Sequence, residues 1–150
     1  IDLNPDAMED EWSGDRGCGV KYFSQDGVIK LAPAAGIELD QSATPAEKLK
    51  AVQALMAHDD PRARSIYETL GVNFGYAIAY YAMFYPIRHV LVMGRVTSGK
   101  GGEILLSKAR ETLKTEFPEL AGNMELRIPD EKSRRVGQSV AAASLPKAKS

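Results

Sequence analysis

The sequence predicts an α/β fold, mostly helical with few strands, in one domain spanning residues 1–150. Three observations carry that prediction. Val90-Leu91-Val92-Met93 is a short, unbroken apolar run, the pattern of a strand covered on both faces. Met124-Glu125-Leu126-Arg127-Ile128 alternates apolar and polar side chains, as a strand with one exposed face does. The remaining apolar positions recur at helical spacing, most clearly from Ile66 through Phe84. Two strands make a poor independent sheet, so the rest of the sheet is expected upstream of Ile1.

A hydrophobic content of 44% against 26% charged residues is enough apolar material to bury a core. Nineteen basic and twenty acidic residues leave a formal charge of −1, which gives a nucleic-acid partner no support. The single Cys18 cannot form an internal disulfide, and the expected compartment is a reducing cytoplasm. No apolar run reaches the ~20 residues of a membrane span, so no membrane partner is expected. A start at Ile1 rather than Met predicts a fragment or a processed product.

Ile1 to Gly19 is acidic and rich in turn residues, and reads as a solvated surface loop anchored to the core by Trp12. Its acids lack the order of a calcium loop, and Cys18 and His58 have no partners at zinc spacing; no zinc is expected. Val20 to Leu31 carries a weak helical pattern with Val20, Phe23, Gly27 or Val28, and Leu31 on one side. Thr44-Pro45-Ala46-Glu47 is a capping box with proline at the first helical position, and Leu49, Val52, Leu55 and Met56 form the inner face of the helix it opens. His58 falls in the turn that follows, exposed or capping the helix end. Asp60-Pro61 repeats the start signal for a long helix running to Tyr85, where Pro86 stops it. That helix is apolar nearly all round toward its end, which predicts burial. A further helix covers Ile104 to Thr115, and a small-residue helix covers Val136 to Leu145, followed by a frayed tail. No serine, histidine and acid form a nucleophile constellation.

The loop Gly94-Arg95-Val96-Thr97-Ser98-Gly99-Lys100-Gly101-Gly102 joins the apolar strand to the helix after it. Free backbone N–H groups there, at a strand's carboxyl end and a helix's amino end, suit a phosphate or nucleotide. Gly94-x4-Gly99-Lys100 also matches most of a Walker loop, but Gly101 stands where Ser or Thr must hold magnesium. A plain glycine-rich turn is the alternative. Gly71 and Gly75 lie one turn apart on the long helix, where small residues allow a close approach. The nucleotide is therefore expected between Gly71 and Gly75 on one side and Gly94, Arg95, Thr97, Ser98 and Gly101 on the other. Arg95 would either pair with a phosphate or fill the space a base needs.

Leu70-Gly71, the Phe84-Tyr85-Pro86-Ile87 turn and Val90-Leu91-Val92-Met93-Gly94 together resemble the carboxyl-terminal half of the ROK family of repressors, uncharacterised reading frames and sugar kinases. Gly17-Cys18-Gly19-Val20-Lys21-Tyr22-Phe23-Ser24 resembles that family's Gly-Cys-Leu-Glu-x-Tyr-x-Ser stretch, and Gly137 to Ser144 its final helix. The pattern departs at Tyr85, where the family has asparagine, and at Arg95, where it has a second glycine. Val20 replaces the sugar-binding glutamate, and Ser13 and Gly14 replace two zinc cysteines.

The resemblance implies a ribonuclease-H-like fold of the actin and hexokinase superfamily, with this chain as the carboxyl-terminal lobe. The amino-terminal lobe and the first strands would lie upstream, as the chain's missing partner. It further implies ATP with Mg2+, bound through the full-length protein, and phosphoryl transfer to a sugar or related small molecule. A homodimer is expected, and these residues alone are expected to be catalytically inactive. The other reading is a non-catalytic sensor or assembly lobe of a transcriptional regulator.

Overall fold

The computed structural model describes residues 2–130. The helix expected over Val136–Leu145, the tail after it and the Gly137–Ser144 stretch lie outside the described residues. Within them the order is α1 (Val20–Phe23), α2 (Gln25–Leu31), α3 (Pro45–Ala57), α4 (Pro61–Ala82), β1 (His89–Leu91), a 3-10 turn (Arg95–Thr97), α5 (Lys100–Glu116), α6 (Pro118–Asn123) and β2 (Glu125–Arg127). The α/β class holds, with helices dominating and one parallel two-stranded sheet in which Val90 faces Leu126.

Local chemistry sets the helix starts. Thr44 and Glu47 close the capping box: the Thr44 N–H donates to Glu47 Oε2 at 2.8 Å and the Glu47 N–H to Thr44 Oγ1 at 3.4 Å. At α4 the Asp60 carboxylate accepts from the Arg62 N–H at 2.8 Å, ahead of Pro61 at the first helical position. His58 is the C-terminal capping residue of α3, its N–H donating to the Leu55 carbonyl at 3.1 Å. The pattern over 20–31 is two helices rather than one, because Ser24 is extended and its hydroxyl accepts from the Asp26 N–H to start α2 afresh. Nor is Val20 the inward residue of α1; it is exposed and Lys21 is buried.

The axis of the molecule is the pair α4 and α5. A Cβ on Gly71 would lie 2.6 Å from the Leu105 carbonyl oxygen and 2.6 Å from Lys108 Cβ, and one on Gly75 would lie 2.8 Å from Thr112 Cβ. The two glycines thus let α5 lie directly against the α4 backbone. One core, with Leu49, Val52, Met56, Ile66, Leu70 and Leu105, joins α2 and α3 to this pair. A second, with Ile78, Leu106, Ala109, Leu113, Val92 and Leu126, seats the sheet on it.

Three expectations about burial fail. Trp12 is 95% exposed and anchors nothing. The strand is covered on one face only: Val92 is buried against the helices, whereas Leu91 is 61% exposed and Met93 is exposed beside it. Alternation of side chains is inherent to a strand, and among the described residues nothing lies over the second face. The end of α4 is likewise open, with Tyr76, Tyr80, Tyr81, Met83 and Phe84 exposed where the apolar run predicted burial. Among the described residues no helix is long and apolar enough to cross a membrane.

Candidate functional site

The loop after β1 is built by two glycines in the left-handed half of backbone space. Gly94 has φ +117 and Gly99 has φ +68, and a Cβ on either would meet nothing within 4 Å. Between them a single 3-10 turn is closed by the Thr97 N–H and the Thr97 hydroxyl, which donate to the Gly94 carbonyl at 3.1 and 2.8 Å. Gln53 of α3 holds the turn from below, donating through its amide to the Arg95 carbonyl at 2.8 Å. Gly99 is the N-cap of α5 and no side chain caps it. In the first turn of this 17-residue helix the Gly102 N–H donates to the Gly99 carbonyl at 3.1 Å and no side chain caps the rest, so the helix dipole at this end favours an anion.

The seven candidate residues separate into two groups. Gly94, Arg95 and Ser98 lie on the open side of the loop, all exposed. The other four face inward. Gly71 and Gly75 are filled by α5 and are not beside the loop's open space, so the cleft expected between them and the loop does not form. A Cβ on Gly101 would lie 2.4 Å from the Tyr67 ring, which makes Gly101 a packing residue. Thr97 is 3% exposed and its hydroxyl is committed to the turn. Burial pushes the Tyr67 phenol up to about 12, against an opposing pull from the Gln53 amide, so this ring is a neutral wedge under α5.

Lys100 decides against the Walker geometry. Its ammonium donates to Asp59 Oδ2 at 2.7 Å and to the Ala57 carbonyl at 3.4 Å, at the end of α3 and away from the glycine turn. Lys100 beside it, through that hydrogen bond, holds the Asp59 carboxyl below its ordinary range. A Walker lysine must instead reach the phosphates.

Two hollows flank the loop. One, of about 490 Å³, is lined by Thr97, Gly99, Glu103, Leu106, Arg110 and Arg127. Its cations are engaged: Arg110 donates to the Leu126 carbonyl at 2.5 Å and Arg127 pairs with Glu125 at 2.6 Å. The other, of about 610 Å³, runs beside β1 with an apolar floor that includes Phe74, Ile78 and Leu105, and a rim that includes Lys21, Gly94 and Arg95. The ladder to β2 uses the Arg88 carbonyl (accepting from the Glu125 N–H at 2.8 Å) and the Val92 N–H (donating to Arg127 at 2.8 Å). Alternate residues His89, Leu91 and Met93 therefore turn their backbone groups away from β2, and Leu91 and Met93 line this second hollow.

Compared with protein-family models, with curated proteins and with solved structures, the chain matches none.

Three residues that shape this region were not among the candidates. Gly99 carries a helix-start signal in the pair Gly99-Lys100, which marks it as readable. Gln53 carries no such mark, because its partner Arg95 lies far along the chain, and Lys21 carries none, because its carboxylates come from two separate elements, the loop before it and the helix after it. Lys21 is 3% exposed, and its ammonium donates to Asp26 Oδ2 at 2.8 Å and to Glu11, with Asp10 4.0 Å away. Its hydrogen bonds to Asp26 and Glu11 drive its pKa far above the ordinary lysine value, so it is a permanent cation pinning the acidic loop to α2. That loop is itself folded: Asp2 donates to the Gly17 carbonyl at 3.0 Å, and Glu9 bridges Arg16 antiparallel.

Proposed function

We propose that this chain is the nucleotide-binding part of a sugar kinase-like protein of the ROK type, with the phosphates of ATP seated on the open side of Gly94–Gly99. The observation that carries the reading is the uncapped start of α5 behind two left-handed glycines, at the carboxyl end of a parallel strand. The Thr97 and Ser98 N–H groups close the turn on the Gly94 and Arg95 carbonyls, so the N–H groups at Gly99 and the start of α5 would hold the phosphates, with Arg95 and Ser98 as side-chain partners. In this reading Mg2+ enters with the nucleotide, on its phosphates, and is bound through the full-length protein.

In this proposal the ribonuclease-H-like sheet continues beyond β1. The backbone groups of His89, Leu91 and Met93 and the apolar groove beside them suit further strands from a preceding part of the protein. The acceptor hydroxyl and its general base would come from that same part. The substrate is then a small hydroxyl compound, bound elsewhere than at Val20, whose side chain can make no hydrogen bond.

The test is an amide-resolved titration of the isotope-labelled chain with MgATP. Shifts confined to residues 94–99, abolished by Gly94→Val, are the expected result. Saturating nucleotide without a shift in that loop would overturn the placement. The second reading, a non-catalytic assembly lobe, is favoured by the engagement of Lys100 with Asp59 and by the closed packing of Gly71, Gly75 and Gly101.

A further inference from the structure

We infer that the hollow between α5 and the end of β2 holds an acid group, so that the small hydroxyl compound proposed above as substrate carries a carboxylate or a phosphate. The inference rests on the kinase-like reading only for calling this ligand a substrate. Gly99, Glu103, Leu106 and Arg110 follow one another at i, i+4, i+7 and i+11, so one stripe of α5 lines the hollow. Arg127, the last residue of β2, and Ile128 after it complete the lining with Thr97. β1 runs parallel to β2 and ends in the glycine loop, so the hollow opens at the carboxyl ends of both strands, where open α/β sheets take their ligands. Its volume of about 490 Å³ is that of a small-molecule site.

Charge selects the ligand. Among the described residues two guanidinium groups line the hollow against one carboxylate, that of Glu103. Arg110 gives one of its N–H donors to the Leu126 carbonyl, which fixes the side chain in place and leaves the rest of the fork for a ligand. Arg127 pairs with Glu125, two residues back on its own strand, with both side chains well exposed; such a pair is weak and yields to a better-placed anion. Two forked donors around one space match the paired oxygens of a carboxylate or a phosphate. The uncapped start of α5 at Gly99 adds the positive end of its dipole. Leu106 and Ile128 supply apolar surface for the carbon body. Gly99 belongs both to this hollow and to the loop proposed to seat the phosphates of ATP. A compound held here by its acid end therefore lies beside those phosphates, with its hydroxyl left for the part of the protein that supplies the base.

Amide-resolved titrations of the full 150-residue chain test this, with D-gluconate, D-glucose 6-phosphate and neutral D-glucose as probes. The expected result is a shift at Gly99, Glu103, Arg110 and Arg127 with at least one of the two acids and none with glucose. The acid that binds tells carboxylate from phosphate. Arg127→Gln should raise its dissociation constant about ten-fold or more, and Glu103→Gln should lower it several-fold, both with unchanged far-ultraviolet circular dichroism. Lys48→Gln, at a cation that lines neither hollow beside the loop, should leave it as it is. Silence at these four residues with both acids would overturn the inference. So would equal shifts with glucose, or an Arg127→Gln chain that binds the acid as the wild type does. MgATP is titrated separately: acid binding without a nucleotide shift over 94–99 defeats the nucleotide reading alone, and the reverse defeats this inference alone.

Discussion

Replacing Gly71 with alanine measures how tightly the molecule is built on the contact of α4 with α5. The added Cβ would sit 2.6 Å from the Leu105 carbonyl oxygen, about 0.8 Å inside the 3.4 Å at which ordinary contact begins. Two effects oppose each other. Alanine is the better helix former by about 1 kcal/mol, and α4 runs on for more than two turns on either side of Gly71. Against this, overpacking costs about 1–3 kcal/mol, toward the upper end where the obstacle is backbone with no rotamer to change. The helices must separate, and both hydrophobic cores share them. The net expectation is a loss of about 1–2 kcal/mol, or about 1 M in the urea midpoint for a domain of this size. Gly122→Ala is the control: it is helical, its Cβ meets nothing within 4 Å, and only the propensity gain remains. Urea unfolding followed by circular dichroism reads all three proteins. A Gly71→Ala chain as stable as wild type would refute the close approach and with it the shared axis of the fold.

Three further outcomes follow from the geometry. Lys21→Met leaves Asp10, Glu11 and Asp26 without their common cation; with Glu11 largely in solvent the cost is about 1–2 kcal/mol, and the acidic loop over 2–17 should become the first site of limited proteolysis. The Asp60 carboxyl, held down to about 2 chiefly by its bonds with Arg62, has a folded value below the unfolded one. Its contribution is therefore complete above about pH 4 and is lost as the pH falls toward 2, a decline in stability that Asp60→Asn should remove from the acid limb of a thermal-melt series. Sugar-dependent ATP turnover by these 150 residues is expected to be nil in a coupled assay, because phosphoryl transfer needs a base beside the acceptor that the loop does not provide; measurable turnover would refute the division of labour proposed above.

Local chemistry was legible in the chain itself. Thr44 with Glu47 and Asp60 with Pro61 start their helices because a cap and its N–H partners lie within three residues, so sequence distance equals spatial distance. Gly94 and Gly99 announced a turn for the same reason: only a residue without Cβ adopts those φ values freely. The positions of both strands and their brevity could also be read, since Pro86 and Pro129 bound the apolar runs. What lies against a surface could not. The spacing of Gly71 and Gly75 promised a close approach but was equally compatible with a ligand or a helix, and only the return of α5 made it a helix. Lys21 was unreadable as a buried ion because its carboxylates come from the loop before it and the helix after it. Trp12, Leu91 and the aromatic end of α4 looked like core because apolarity registers how much a side chain gains from burial, whereas tertiary structure decides whether anything is there to bury it.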